Sequence, residues 1–126
     1  MLIQLDFSSD VPIYMQIRNQ IVMDIAEGKW SPGERLPTIR ALADEMGVNM
    51  MTVNKAYALL KQEGYILADR RSGAKISPNA VNSELVQDKV LEKLRLVVSE
   101  GKLAGISKER LLDLCGEIYD ETEADL

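Results

Sequence analysis

Residues 32–64 constrain the fold of this chain most, because they hold two apolar helical repeats with a helix stop between them. Thr38, a good N-cap residue, stands just before the first repeat. The apolar side chains of that repeat recur at helical spacing: Ile39, Leu42, Ala43 and Met46. Gly47 then supplies the left-handed conformation that commonly ends a helix. A short helix that ends at Gly47 is therefore predicted.

A second helix is predicted directly after this turn, over residues 49–62. Asn49 is its N-cap, and Val48 before the cap can pack on Val53 as a hydrophobic staple. One face of this helix is apolar at i, i+3, i+4, i+7 spacing: Val53, Ala56, Tyr57 and Leu60. The opposite face carries Met50, Met51, Asn54, Lys55 and Lys61. The helix therefore has one face for a core and one for a partner.

Two short helices on one core, with a polar start to the second helix, form a helix-turn-helix. Where this arrangement binds DNA, the second helix lies in the major groove and its first residues contact base edges. Met50 and Met51 at that position could then contact thymine methyl groups. On periodicity alone, a helical hairpin without a DNA partner fits equally well, so the flanking segments are needed to choose.

The segment before residue 32 predicts a third helix and a short arm. Apolar residues trace the helix from Ile13 to Glu27 and should cover the next two helices: Ile13, Ile17, Ile21, Met23, Ile25 and Ala26. Gly28 ends this helix, and Trp30 is expected on the edge of the domain. Residues 2–7 alternate imperfectly between apolar and polar side chains, which predicts a short strand or an extended arm.

Residues 66–77 predict a β-hairpin directly after the second helix of the pair. Two short extended segments flank Arg70, Arg71, Ser72 and Gly73, so the tip of the hairpin is basic. A hairpin in this position makes the helix-turn-helix a winged one. The basic tip can lie along a phosphate backbone or in a narrow minor groove. A solvated hairpin with charges at its turn is the simpler alternative for the segment taken alone.

Charge and composition set further limits on function. Residues 1–78 hold nine bases and nine acids, whereas residues 79–126 hold six bases and eleven acids, so the net charge of −5 belongs to the second segment. A neutral domain binds DNA if its bases cluster on one face, although the overall acidity predicts weak non-specific binding. The chain has no histidine, and its one cysteine, Cys115, excludes an internal disulfide and fits a reducing cytoplasm.

A family resemblance extends over residues 14–76, and its joint spacing is highly specific. It is carried by YMQI at 14–17, Gly28, Pro32-Gly33, LPTIR at 36–40, Leu42-Ala43, Gly47-Val48, Thr52-Val53, Ala56-Tyr57, Leu60, Gly64 and Gly73. These residues resemble the winged helix-turn-helix domain of GntR-type bacterial transcription regulators. The resemblance implies that Arg40 lies near the DNA.

Two departures from the family pattern bear on the site. The recognition helix starts with Asn49-Met50 where relatives often have Ser-Arg. This start resembles the YtrA-like subfamily and lacks the arginine that would read guanine. Arg71 replaces the usual first glycine of the wing tip. The 48 residues of 79–126 are too few for the large effector domains of other subfamilies. The resemblance implies a short helical dimerisation tail instead.

The tail residues support this interpretation independently. An apolar stripe predicts a helix from about Val81 to Glu100, which Gly101 and Gly105 should break, and Ser107 should cap a second helix. Two amphipathic helices alone cannot bury both of their apolar stripes, so a symmetric dimer is expected. The residues expected at the dimer contact are Val86, Val90, Leu94, Val97, Val98, Leu111, Leu114 and Ile118.

The sequence thus predicts a mainly α fold with a small β-wing: a winged helix-turn-helix over residues 1–78 and a two-helix dimerisation or effector tail over 79–126. The expected function is a cytoplasmic, dimeric repressor of a palindromic double-stranded DNA operator. No enzyme activity, cofactor, metal site or membrane span is expected, and any small-molecule effector is unidentified. The residues expected to contact DNA are Thr38, Arg40, Asn49, Met50, Met51, Thr52, Asn54, Lys55, Arg70, Arg71, Ser72 and Gly73. The alternative is a winged-helix protein-interaction module that uses the acidic tail.

Overall fold

The computed structural model describes residues 3–69, 73–81 and 84–121. Five helices and two strands follow one another in these ranges: α1 Ile13–Ala26, α2 Ile39–Met46, α3 Met50–Glu63, β1 Ile66–Asp69, β2 Gly73–Ile76, α4 Glu84–Leu103 and α5 Lys108–Tyr119. The chain divides into two compact units, Met1–Ser83 and Glu84–Leu126, here called the winged-helix unit and the tail unit. The mainly α fold with a small hairpin agrees with the prediction.

The two helices of the pair begin and end where their capping residues predict. The Thr38 Oγ1 atom accepts a hydrogen bond of 3.1 Å from the amide of Ala41, and the Asn49 Oδ1 atom accepts one of 2.7 Å from Met51. Gly47 has φ 69°, and its amide bonds to the carbonyl of Ala43. Because a left-handed residue closes α2 and an asparagine opens α3 two residues later, the turn between the helices is short and fixed.

The core of the winged-helix unit is formed by the apolar stripes of all three helices and by the hairpin. Its largest fully buried side chains are Tyr57, Ile17, Ile21, Leu42, Leu60, Ile66, Ile76 and Val53. The Tyr57 hydroxyl donates a 2.7 Å hydrogen bond to the carbonyl of Pro37, and burial raises its pKa. On α1, however, Met23 and Ala26 are exposed rather than buried. The buried stripe of α1 runs through Ile17, Ile21 and Ile25 instead, because the 3.6-residue period places Met23 on another face.

A buried ion pair ties α1 to the end of α3. The Arg18 guanidinium donates to both carboxylate oxygens of Glu63, at 2.9 Å from Nε and 2.7 Å from Nη2. The two side chains are only 10% and 11% exposed. The same guanidinium lies 5.7 Å from the centre of the Tyr65 ring. Its pKa is raised by the hydrogen bonds with Glu63. A two-pronged pair of this kind fixes the angle of one helix on another.

The hairpin is joined by a third extended segment that local sequence does not indicate. The antiparallel strands β1 and β2 pair Ile66 with Ile76 and Asp69 with Gly73. Residues 33–36 run along the other side of β2. The amides of Gly33 and Leu36 donate to the carbonyls of Ile76 and Ala74, and the amide of Ile76 donates to the carbonyl of Glu34. The wing is therefore anchored to the loop before α2 and not only to α3.

The amino-terminal residues form an extended arm, and residues 3–7 contain no strand. The side chain of Gln16 holds this arm on α1. Its Oε1 atom accepts from the amide of Asp6 at 2.8 Å, and its Nε2 atom donates to the carbonyls of Asp6 and Val11. Ile3 and Leu5 pack against the core, so the arm covers one side of the winged-helix unit.

The tail unit is a pair of helices, as predicted, and the break lies at Gly105 but not at Gly101. Helix α4 continues through Gly101 to Leu103, and only Gly105, with φ 79°, adopts the left-handed conformation. Gly101 is buried, and a Cβ atom added to it would lie 3.5 Å from the Cδ2 atom of Leu111. The Ser107 Oγ atom caps α5 by accepting from the amide of Arg110 at 3.1 Å. No helix among the described residues is long and apolar enough to cross a membrane.

Candidate nucleic-acid interface

Helix α3 exposes one continuous face opposite the face that it buries. Its buried residues are Val53, Ala56, Tyr57, Leu60 and Glu63. The exposed residues that lie across the helix from them are Met51, Asn54, Lys55, Ala58 and Gln62. They follow i, i+3, i+4, i+7 spacing, so they form a single stripe from the first turn to the last. This stripe has the length and the polar character that a recognition helix needs.

Two predicted contact residues have side chains that cap helices. Asn49 is exposed, and because its Oδ1 atom accepts from Met51, its Nδ2 group is the part that can donate to a ligand. Thr38 is exposed and caps α2 in the same way, which leaves its hydroxyl hydrogen as a donor. Both predicted contact residues are therefore held by the fold in fixed orientations before any ligand arrives.

Two methionines project from the first turn of α3. Met50 is 44% exposed and Met51 is 77% exposed. Neither side chain is buried in the core. Large apolar side chains at a helix start, next to a capping amide, can contact the methyl group of thymine while the amide contacts a base edge. Thr52 behind them is half-buried, and Asn54 on the next turn is exposed.

The two described bases among the predicted site residues lie on two helices. Arg40 is exposed in the first turn of α2, and Lys55 is exposed in the middle of α3. The Lys55 Nζ atom lies 4.1 Å from the centre of the Tyr14 ring on α1. Gly73 opens β2 with φ 95°, a conformation that favours glycine. Arg70, Arg71 and Ser72, predicted at the wing tip, lie outside the described residues.

Two groups of residues outside the predicted set are connected by the structure to elements of the candidate site. Arg35 and Lys75 face each other across the antiparallel bridge between the 33–36 segment and β2, which adds two bases to the wing. Because that pairing joins positions 40 residues apart, no local signal announces it. Tyr14 is the other omission, although it was part of the YMQI motif. Arg18, by contrast, is withdrawn into the core by Glu63.

The residues predicted for the dimer contact lie along α4 and α5 of the tail unit. Val90, Leu94, Val97 and Ile118 are 52%, 46%, 50% and 63% exposed. Val86, Val98, Leu111 and Leu114 are half-buried. The tail thus presents a row of apolar side chains to solvent. Among the described residues, no group of three acidic, cysteine or histidine side chains could hold a metal ion.

Comparison with known proteins assigns the winged-helix unit to a family. Residues 13–76 match the family described as bacterial regulatory proteins, gntR family. The HTH-type transcriptional repressor YtrA of Bacillus subtilis (strain 168) is 38% identical over 120 residues, which are 93% of this chain and 92% of the relative. The resemblance to YtrA-like members of the family is therefore confirmed.

Solved structures agree with the fold and with the type of ligand. A transcriptional antiterminator from Listeria monocytogenes EGD-e has a TM-score of 0.83 at 27% identity, over 94% of this chain and 90% of its own. The DNA-binding domain of AraR, in complex with operator ORE1, has a TM-score of 0.52 at 26% identity, over 61% of this chain and 94% of its own. Contact with DNA is thus favoured over the alternative of a protein-interaction module. The chain belongs to the GntR family of bacterial regulatory proteins and is a DNA-binding transcription regulator, not an enzyme.

Proposed function

We propose that the protein is a cytoplasmic, dimeric repressor that binds a palindromic operator through the recognition helix 49–62 and the wing 66–77. The observation that carries the proposal is the exposed stripe of α3, which begins at a fixed asparagine cap and carries methionine, asparagine and lysine. These side chains suit the major groove, in which an amide pairs with adenine and a methyl contact selects thymine. The repressor role is supported by the 38% identity to YtrA.

The proposed assignment of roles follows from position on the fold. Asn49, Met50, Met51, Thr52 and Asn54 stand in the first turns of α3 and read bases. The other proposed DNA contacts hold the backbone: Thr38, Arg40, Lys55, Arg70, Arg71, Ser72 and Gly73. The winged-helix unit is neutral overall, so these few bases set the register of the protein on the duplex, and base contacts supply most of the discrimination.

The proposed dimer forms through the tail unit. Val90, Leu94 and Val97 are each about half exposed, although one helical face brings them together. Burying such a row against a second copy removes apolar area from water at about 25 cal/mol per Å². A two-fold axis then presents two recognition helices, and two half-sites one helical turn apart form a palindrome.

Selection of bound duplexes from a random pool tests the proposal. One palindromic sequence should be enriched, and its affinity should fall steeply with salt. Neutralisation of about six phosphates by the dimer gives a log–log slope of roughly −5. A pool that shows no enrichment at low salt, or a slope near zero, contradicts the proposal. Enrichment of single half-sites without inverted repeats contradicts only the dimer.

A further inference from the structure

A contact between α1 and α3 fixes one cation of the recognition helix. The Lys55 Nζ atom lies 4.1 Å from the centroid of the Tyr14 ring, well inside the range of a cation–π interaction. Tyr14 is half-buried in the first turn of α1 and packs against the core, so its ring is a fixed platform. Lys55 itself is exposed. A flexible side chain is thereby held against a rigid one.

This restraint matters because lysine is otherwise a poorly ordered ligand. Its side chain has four rotatable bonds, and fixing it on a partner has a large entropic cost. Because the Tyr14 ring already restricts the Lys55 side chain to a subset of rotamers, part of this entropy is lost on folding. Less is therefore lost when DNA binds. Preorganisation of this kind raises affinity without any new contact to the ligand.

The position of Lys55 along α3 indicates which part of the duplex it meets. Asn49, Met50 and Met51 at the start of α3 are the residues placed for base edges. Lys55 follows one turn later, and its ammonium lies against the Tyr14 ring of α1. The groove is bordered by phosphates, and the compact charge of an ammonium binds phosphate without a preference for base sequence.

We propose that Tyr14 is a positioning residue for DNA binding, whose ring holds the Lys55 ammonium for a phosphate contact that is independent of base sequence. The proposal rests on the proposed entry of α3 into the major groove. It gives the backbone contact of Lys55 a structural cause, and it brings Tyr14, which need not touch the DNA, into the binding machinery.

The test is a double-mutant cycle on the full-length protein. Affinities for the selected operator and for an unrelated duplex are measured across a salt series for the wild type, Tyr14→Phe, Tyr14→Leu, Lys55→Met and the Tyr14→Leu/Lys55→Met double variant. Lys55→Met should weaken both duplexes by the same factor and reduce the salt slope by about one per protomer. Tyr14→Leu should weaken both by about two- to five-fold. Tyr14→Phe keeps the ring and should match the wild type.

The double-mutant cycle distinguishes a positioning role of Tyr14 from a purely structural role. In the Lys55→Met background, Tyr14→Leu should have no further effect on affinity, because there is no ammonium left to hold. An undiminished loss in that background overturns the proposal, and so does a loss in Tyr14→Phe, which would assign the contact to the hydroxyl. A change in operator preference on Lys55→Met overturns the phosphate contact.

Two controls keep the outcomes separate. Thermal unfolding of each variant reports folding, and Tyr14→Met, which fills similar space without an aromatic ring, repeats the cycle if Tyr14→Leu does not fold. A wild-type protein that binds every duplex alike contradicts the proposed function. The cycle on the unrelated duplex still decides the part of Tyr14 in that case.

Discussion

The two units of this chain differ in how completely each encloses its own apolar side chains. The winged-helix unit buries eight large side chains almost completely, from three helices and a hairpin. In the tail unit, Gly101 alone is buried among the residues whose side chains are described. Both units are built from amphipathic helices, so the difference is one of layers. Three helices and a hairpin surround a core, whereas two helices have only one shared face.

This difference teaches which unit is expected to depend on a partner. A closed core makes stability a property of the single chain, and the winged-helix unit therefore suits a module that must hold its reading face rigid. An open pair of helices gains little from its own contacts, so its stability should depend on association. The comparison can be tested by changes that act on one unit and leave the other intact.

The largest effect is expected when the tail unit, and with it the proposed dimer contact, is removed. Ala80 belongs to the core of the winged-helix unit, so a chain truncated to that unit should end at Ser83. It should stay folded and monomeric, and it should bind the operator roughly 10²–10⁴-fold more weakly, because the second half-site is no longer engaged intramolecularly. Sedimentation and a binding titration measure both properties.

A point substitution provides the matched form of that experiment. Leu94→Asp places a carboxylate in the apolar row and should dissociate the dimer. Ser99→Asp adds the same charge on the opposite face of α4 and should leave assembly unchanged. If the truncated chain dimerises and binds as tightly as the full chain, the tail has another task, and effector sensing becomes the leading candidate.

The next effect is expected inside the winged-helix unit. Arg18→Met leaves the buried Glu63 carboxylate without its two-pronged partner and should lower the free energy of unfolding by about 3 kcal/mol. The Arg18→Met/Glu63→Leu double variant should recover much of that loss, because both buried charges are then absent. Denaturant unfolding of the chain that ends at Ser83 gives the values. A loss below about 1 kcal/mol shows that water reaches the pair.

A smaller effect should separate reading from anchoring. Asn54→Ala should weaken operator binding by roughly 1–3 kcal/mol and relax the preference at one base pair, provided that this amide contacts a base. Arg71→Ala should instead weaken all duplexes alike and flatten the salt slope by about one per protomer. Competition titrations with single-base operator variants distinguish the two. Unchanged preference in Asn54→Ala removes that residue from the reading set.

The smallest effect concerns the two glycines of the tail. Gly101 is helical and has room for a Cβ atom, so Gly101→Ala should stabilise the tail by about 0.5–1 kcal/mol. Gly105 has φ 79°, so Gly105→Ala should destabilise it by about 1 kcal/mol. Both changes can be measured as shifts in the dimer dissociation constant, which is obtained by diluting the protein. A destabilising Gly101→Ala indicates that Leu111 cannot move away from the added methyl group.

Local sequence determined the elements of the winged-helix unit almost to the residue. The caps at Thr38 and Asn49 and the stop at Gly47 act on residues only a few positions away, so adjacent residues in the sequence reveal them. Periodicity likewise identified the buried face of α3, because the helical repeat is a local property. The family was also evident from the spacing of such residues.

Other features were decided only by the tertiary structure, because they join positions that are distant in the chain. The Arg18–Glu63 pair spans 45 residues, the wing bridge places Arg35 beside Lys75, and the Tyr14 ring meets Lys55. Gly101 is another residue whose conformation is decided by tertiary packing and not by local sequence. Its sequence context suggests a helix break, yet the helix continues where Leu111 packs against it. Glycine only permits the left-handed conformation, and packing decides whether that conformation is used.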